Sequence, residues 1–272
     1  VAPEGAEVTA TPEGRPAMPV VHHLNCGTLH APPGPPASCH CLLLEGDDGL
    51  VLVDAGIGIQ DGRDPERRVG REAIQAAGFQ FHDDQAAVSR VEALGRRASD
   101  VKHVVLTHAD PDHAGGLADF PEARVHLSAE ERANLDSGNP RYSLAQFDHE
   151  PRWSPVGGES VPWFGLESRR IDVGPGLDVR LIPLFGHTLG HCGVAVAVGD
   201  RWLLHVGDAY YLRVELARDD HPVSALAAMR ADDDALRLAS LAALRRLAAE
   251  QGGRIALFGY HDFGEFPEGS SR

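Results

Sequence analysis

The chain has 272 residues, 43% hydrophobic and 24% charged. A globular chain of that length buries about three quarters of its unfolded surface and needs no disulfide or metal staple to fold. Forty acidic against 25 basic residues give a net charge of −15, which argues against phosphate-neutralising nucleic-acid binding and against anionic membrane surfaces.

In chain order, residues 1–19 are rich in Pro, Gly and Glu. They read as a flexible leader without the basic start and apolar stretch of a secretory signal. Residues 20–25 form a first candidate strand, and the proline-rich stretch 31–38 is too stiff for a helix and short of donors for a sheet. Two short apolar runs, 39–44 and 50–53, flank Gly46-Asp47-Asp48-Gly49, a hairpin turn signal. The second run stops at Asp54-Ala55-Gly56. Helical spacing predicts helices over 64–77 and 84–97. The valine-rich run 101–106 reads as a buried strand, and 124–127 as another, followed by a helix over 128–136 that opens on a capping box of Ser128 and Glu131.

Residues 137–167 show no period. Strands resume at 169–173, 177–184, 192–198 and 202–206. A long amphipathic helix spans 232–251, and a last strand spans 254–258. No run approaches the roughly 20 apolar residues of a membrane span. Strands and helices in both halves predict an α/β fold over one domain, residues 20–272. The four cysteines, Cys26, Cys39, Cys41 and Cys192, are too few for a disulfide scaffold. They read as reduced thiols of a cytoplasmic protein.

The chemistry concentrates at strand ends. The strand over 101–106 delivers His108, Asp110, Asp112 and His113 within six residues, and Gly115-Gly116 follow. Imidazole and carboxylate together are the donors that divalent metals take. A lone cluster of this kind in a loop is usually exposed polar decoration. Here it follows a buried strand, and further candidate ligands, His187, Asp208 and His261, also follow predicted strands.

Thr107-His108-Ala109-Asp110-Pro111-Asp112-His113-Ala114-Gly115-Gly116 resembles the Thr-His-x-His-x-Asp-His-x-Gly-Gly signature of the metallo-β-lactamase superfamily. Asp54-Ala55-Gly56, Gly186-His187-Thr188-Leu189-Gly190-His191, Gly207-Asp208 and Tyr260-His261-Asp262 match its other motifs in order. The resemblance implies an αββα sandwich of two mixed β-sheets with a dinuclear metal site at one edge. Carried over, one metal takes His108, Asp110 and His187, the other takes Asp112, His113 and His261, and Asp208 bridges them.

The departure is Asp110, where the family has histidine. Zinc is the expected ion, and a harder oxygen donor at this place admits iron or manganese. One alternative is that Asp110 falls short of the metal and only the second position fills. The implied chemistry is attack on an ester-like carbonyl by water polarised between two cations, oriented by Asp112. Tyr211, three residues after Asp208, stands where the N-acyl homoserine lactonase branch places a carbonyl-contacting tyrosine; packing under the long helix is its structural alternative.

A lactone is therefore the first substrate expected and a thioester the second, with a metal-binding protein lacking turnover as the rival. The expected partner is a small molecule rather than nucleic acid or membrane, with a homodimer left open. Trp153, Trp163 and Phe164 stand where the fold builds pocket walls and read either as cover for an apolar substrate tail or, as is commoner for aromatics in an irregular segment, as a satellite core. Cys39 and Cys41 are expected as buried thiols on one strand face. His191 is expected to hold its turn by hydrogen bonding. His22, His23, His82, His149 and His221 are read as surface or satisfied histidines.

Overall fold

The structure is a computed structural model that describes residues 18–32 and 34–270. Most of the expected leader therefore lies outside the described residues. Among the described residues thirteen strands form two sheets. The first contains β1 (Val20–Leu29), β2 (Ala37–Gly46), β3 (Gly49–Val53), β4 (Phe79–Gln80), β5 (Val101–Val105), β6 (Arg124–Ser128) and β7 (Arg152–Val156), in the order β4-β1-β2-β3-β5-β6-β7. The second contains β8 (Val161–Trp163), β9 (Leu166–Ile171), β10 (Val179–Pro183), β11 (Cys192–Val198), β12 (Arg201–His205) and β13 (Ile255–Phe258), in the order β13-β12-β11-β10-β9-β8. Both sheets are mixed: β3, β5, β6 and β7 pair in parallel, as do β12 and β13, and the other pairs are antiparallel.

Period-two alternation builds the layers. Along β2 and β3, Leu42, Leu44, Val51 and Val53 face the second sheet, where they meet Val179, Leu181, Val194 and Val196. Their neighbours Cys39, Cys41, Leu43, Leu50 and Leu52 face the other way, towards Ile74, Ala87 and Val91 of the flanking helices. On the far side of the second sheet, helix Asp234–Gln251 sets Leu241, Leu244 and Leu247 on one stripe against Ile182, Leu204 and Ile255. The result is the expected αββα sandwich. No described helix is long and apolar enough to cross a membrane.

Local differences have local causes. The helix expected over 64–77 is two, Pro65–Arg68 and Arg71–Ala77, because Gly70 between them adopts φ 94°. The helix expected over 84–97 is a 3₁₀ turn at Asp83–Gln85 followed by Ala87–Ala93. The long helix starts at Asp234, capped by the Asp233 carboxylate, which accepts from the Leu236 N–H at 3.0 Å. The stretch without a period holds β7, β8 and the start of β9. Trp153 packs beside Leu135 and Tyr142 in a small cluster, as expected, whereas Trp163 joins the larger core beneath the long helix instead of a satellite. The four cysteines are buried and unpaired.

Candidate metal centre

The strand directions decide where the polar residues collect. β3 and β5 run in parallel, and β10, β12 and β13 share one direction because β11 is antiparallel to both β10 and β12. The segments leaving these strands carry Asp54, His108–His113, His187, Asp208 and His261. All seven predicted ligand residues come together, each at most 8% exposed. Their donor atoms form three overlapping groups: His108 with Asp110 and His187, His108 with His113 and Asp208, and Asp112 with His113 and His261.

Hydrogen bonds aim the rings. His113 Nδ1 lies 2.9 Å from Asp54 Oδ2, and His261 Nδ1 lies 2.9 Å from the Ser38 carbonyl. Both rings therefore turn Nε2 inward. His113 Nε2 is 3.3 Å from Asp208 Oδ1, while Asp208 Oδ2 is 3.3 Å from His261 Nε2 and 3.5 Å from His187 Nε2. Asp208 thus stands between the groups. His108 Nε2, His113 Nε2 and Asp208 Oδ1 are buried and make no hydrogen bond. Buried polar atoms are normally paired, and this set is one that a divalent cation would satisfy. The residues present fit a metal.

The turns behind the ligands need their motif residues. Asp54 holds a left-handed φ of 55° and accepts from the Thr107 N–H at 2.8 Å and the Thr107 hydroxyl at 2.9 Å. That strain is held in place by the contacts it makes. A Cβ on Gly56 would lie 2.2 Å from the Cys26 carbonyl oxygen, so the turn admits only glycine. His191 behaves as expected: its Nδ1 lies 2.9 Å from the Leu184 carbonyl, and its Nε2 accepts from the Asp208 N–H at 3.0 Å.

Electrostatics divides the histidines and carboxylates. Burial opposes charge on His113 and His261, but the surrounding carboxylates, Asp208 foremost, hold both above the ordinary histidine value. Burial raises Asp112. Burial also works to raise Asp110, but the Arg141 guanidinium overrides it and holds the carboxyl well below the usual range. Tyr211 is 9% exposed, with its ring 5.9 Å from that of His187 and 5.3 Å from that of His261. Burial pushes its phenol up, so it stays neutral.

Three supporting residues, Glu131, Tyr260 and Arg141, acquire their meaning only here. Ser128 accepts from the Glu131 N–H at 2.9 Å as a cap should, but the Glu131 carboxylate does not close the capping box. It turns inward and accepts from the Ala109 N–H (2.8 Å), the Tyr142 hydroxyl (2.9 Å) and the Thr188 hydroxyl (2.5 Å). It thereby ties the His108 and His187 loops together, and burial pushes its pKa up to about 7. Tyr260 stacks on His113 at 3.7 Å and donates to the Asp112 carbonyl at 2.6 Å. Arg141, from the stretch without a period, pairs with Asp110. A carboxylate where the family has imidazole is the only sequence signal for such a cation, and it does not say where the cation lies.

The sequence matches the metallo-beta-lactamase superfamily over residues 34–259. A protein of Mycobacterium tuberculosis named as a probable metallo-hydrolase is 47% identical over 209 residues, which are 74% of this chain and 66% of that protein. The chain thus spans about two thirds of that relative's length. An N-acyl homoserine lactonase of Agrobacterium fabrum is 36% identical over 76 residues, 28% of each chain. Among solved structures, an N-acyl homoserine lactone hydrolase with the product N-hexanoyl-L-homoserine at its catalytic metal centre superposes with a TM-score of 0.68 at 19% identity, covering 90% of this chain and 94% of that one. Five motifs in order, the αββα sandwich and the match over residues 34–259 lead to one conclusion: the chain belongs to the metallo-β-lactamase superfamily.

Proposed function

We propose that this chain is a metal-dependent hydrolase that opens lactone rings and cleaves related esters. The observation that carries the reading is the convergence of His108 Nε2, His113 Nε2 and Asp208 Oδ1, buried and unbonded, among Asp110, Asp112, His187 and His261. In this reading His108, Asp110 and His187 form one divalent position, Asp112, His113 and His261 form the other, and Asp208 spans them. Zinc suits the mixture of imidazole and carboxylate, with iron or manganese admitted by Asp110. A bound ion supplies Lewis-acid polarisation and a water of lowered pKa.

The chain's own residues would do the rest. Asp112, its pKa raised by burial, orients the attacking water and is placed to accept its proton. The neutral Tyr211 phenol is a donor for the substrate carbonyl. The lactonase names among the relatives favour a lactone over other carbonyl substrates. The acting unit is proposed as the single domain 20–272 with a small-molecule substrate, in a cytoplasm whose reducing conditions suit four free thiols.

The test is steady-state hydrolysis of a homoserine lactone, an aryl ester and a thioester by metal-replete protein, with Asp112→Asn and Tyr211→Phe compared at equal metal content. Tyr211→Phe removes only the hydroxyl and is expected to lower kcat by about 10²–10³. A wild-type rate in Tyr211→Phe makes the tyrosine structural. Metal-loaded protein that turns over none of the three substrates overturns the hydrolase reading.

A further inference from the structure

The two candidate positions share Asp208 but differ in the charge beside them. Around the Asp112–His113–His261 position the charges are negative: Asp112, Asp208 and, behind His113, Asp54. At the His108–Asp110–His187 position an organic cation is already in place. Arg141 lies along Asp110 as a bidentate pair, Nε donating to Oδ1 and Nη2 to Oδ2, each at 2.7 Å. The same Nη2 lies 3.0 Å from His187 Nε2, the nitrogen that itself faces Asp110 Oδ2 at 3.2 Å. Nη1 donates to the His187 carbonyl (2.7 Å), to Asp232 (2.9 Å) and to the Arg230 carbonyl (3.1 Å).

Three consequences follow from that geometry. The Asp110 carboxylate is neutralised by its partner before any metal arrives. The His187 nitrogen that would bind a metal faces a guanidinium N–H donor. The five N–H donors of the guanidinium are directed at these acceptors, and the side chain is 8% exposed. It is therefore anchored, and what it offers the site is charge rather than a free donor for substrate. A guanidinium in hydrogen-bonding contact with His187 Nε2 and Asp110 would repel a divalent ion at that position strongly enough, at an effective dielectric near 20, to weaken its binding by at least ~100-fold.

We propose that Arg141 makes the two positions unequal: the Asp112–His113–His261 position with Asp208 takes a divalent ion tightly, and the guanidinium holds the other position against a second ion. This rests on the metal dependence proposed above. At limiting metal the protein then carries one inorganic and one organic cation side by side, in a fold whose resemblance implies two metals.

The experiment is titration of the whole chelator-stripped chain with Zn²⁺ against a chromophoric competitor, with bound zinc counted at each point. Wild type should bind one equivalent tightly and a second at least ~100-fold more weakly. His187→Ala should abolish only the weak step and His261→Ala the tight one. Arg141→Gln should bring the two steps together. Arg141→Lys, which keeps the charge without the fork, should preserve most of the gap.

Two equivalents bound with one affinity in wild type overturn the proposal without recourse to any variant. A gap unchanged in Arg141→Gln, or abolished as fully in Arg141→Lys, also overturns it. Stepwise zinc uptake without ester hydrolysis overturns the hydrolase reading instead. No zinc uptake at all overturns both.

Discussion

His113 and His40 are equally buried, each 0% exposed, and the rings of Tyr260 and His205 connect them. Tyr260 stacks on His113 at 3.7 Å and meets His205 edge-on at 5.8 Å, and His205 in turn meets His40 at 6.1 Å. On one side of this partition the rings face carboxylates and His113 is held above its ordinary value. On the other side, His40 bonds His23 at 2.8 Å and stacks on Phe266 at 3.7 Å. Burial, followed by the charge of His205, pushes it down to about 2. Burial is therefore common to both groups, and the neighbouring charge separates them. A histidine among carboxylates is poised to hold a cation, whereas one among rings is a polar piece of core.

The sharpest way to break this comparison is to exchange the fates of the two groups. His113→Ala is expected to abolish tight zinc uptake and to lower ester hydrolysis by at least ~10³-fold, since it removes a donor shared by two of the three ligand groups. His40→Gln should leave zinc stoichiometry unchanged and lower the unfolding free energy. A His40→Gln protein that loses zinc would show that the partition does not exist. One step further out, Asp54→Asn keeps the size of the side chain that orients His113 and removes its charge. Outer partners of this kind are worth about 10–100-fold in metal affinity, and zinc competition against wild type measures it.

The rings on the core side should also be visible in acid. In the folded chain His40 is pushed down to about 2, and burial pushes His23 and His126 down to about 4. Unfolded histidine titrates near 6.5. Between these values the unfolded chain binds more protons, so stability is complete above about pH 6.5 and falls as pH drops towards 4. Each deeply depressed histidine contributes about 2 kcal/mol of that loss by pH 5. Urea unfolding of metal-free protein at pH 7 and pH 5 should show the fall, and His40→Gln should reduce it; an equal slope in the variant removes His40 from the account.

A further expected effect has the opposite sign. Glu131, raised to about 7 by burial, binds a proton more tightly folded than unfolded. Its contribution is present below about pH 4.5 and lost as pH rises through 7. Glu131→Gln should therefore flatten the decline of stability over that window, and an unaltered slope would show that Glu131 is already ionised in the fold.

What could be read from the sequence follows the same division. The ligand-bearing loops were legible because each stands at the end of an apolar run with a motif of fixed spacing, as in Thr107–Gly116 after β5. The strand pattern was legible wherever alternation was clean, as in β2 and β3. The breaks were not: Gly70 inside an otherwise helical spacing splits one expected helix, and only its φ shows why. Arg141 was not legible either. It lies 31 residues from Asp110, in a stretch whose strands are short and whose proline and glycine content hides any period. Glu131 was legible as a cap and not as a brace, because its side-chain direction depends on loops that meet only in three dimensions.

The candidate ligands come from both sheets: His108, Asp110, Asp112 and His113 follow β5 of the first, and His187, Asp208 and His261 follow β10, β12 and β13 of the second. Under the proposed ligation, an ion held at this edge is a cross-link between two layers whose shared face is otherwise largely apolar, with Leu42, Leu44, Val51 and Val53 against Val179, Leu181, Val194 and Val196. Such a link is dose-dependent. At a hundredfold excess of free ion over its dissociation constant it adds about 2.7 kcal/mol to the folded state, and it vanishes under chelation. The melting temperature of this protein would then serve as a gauge of the metal supply around it.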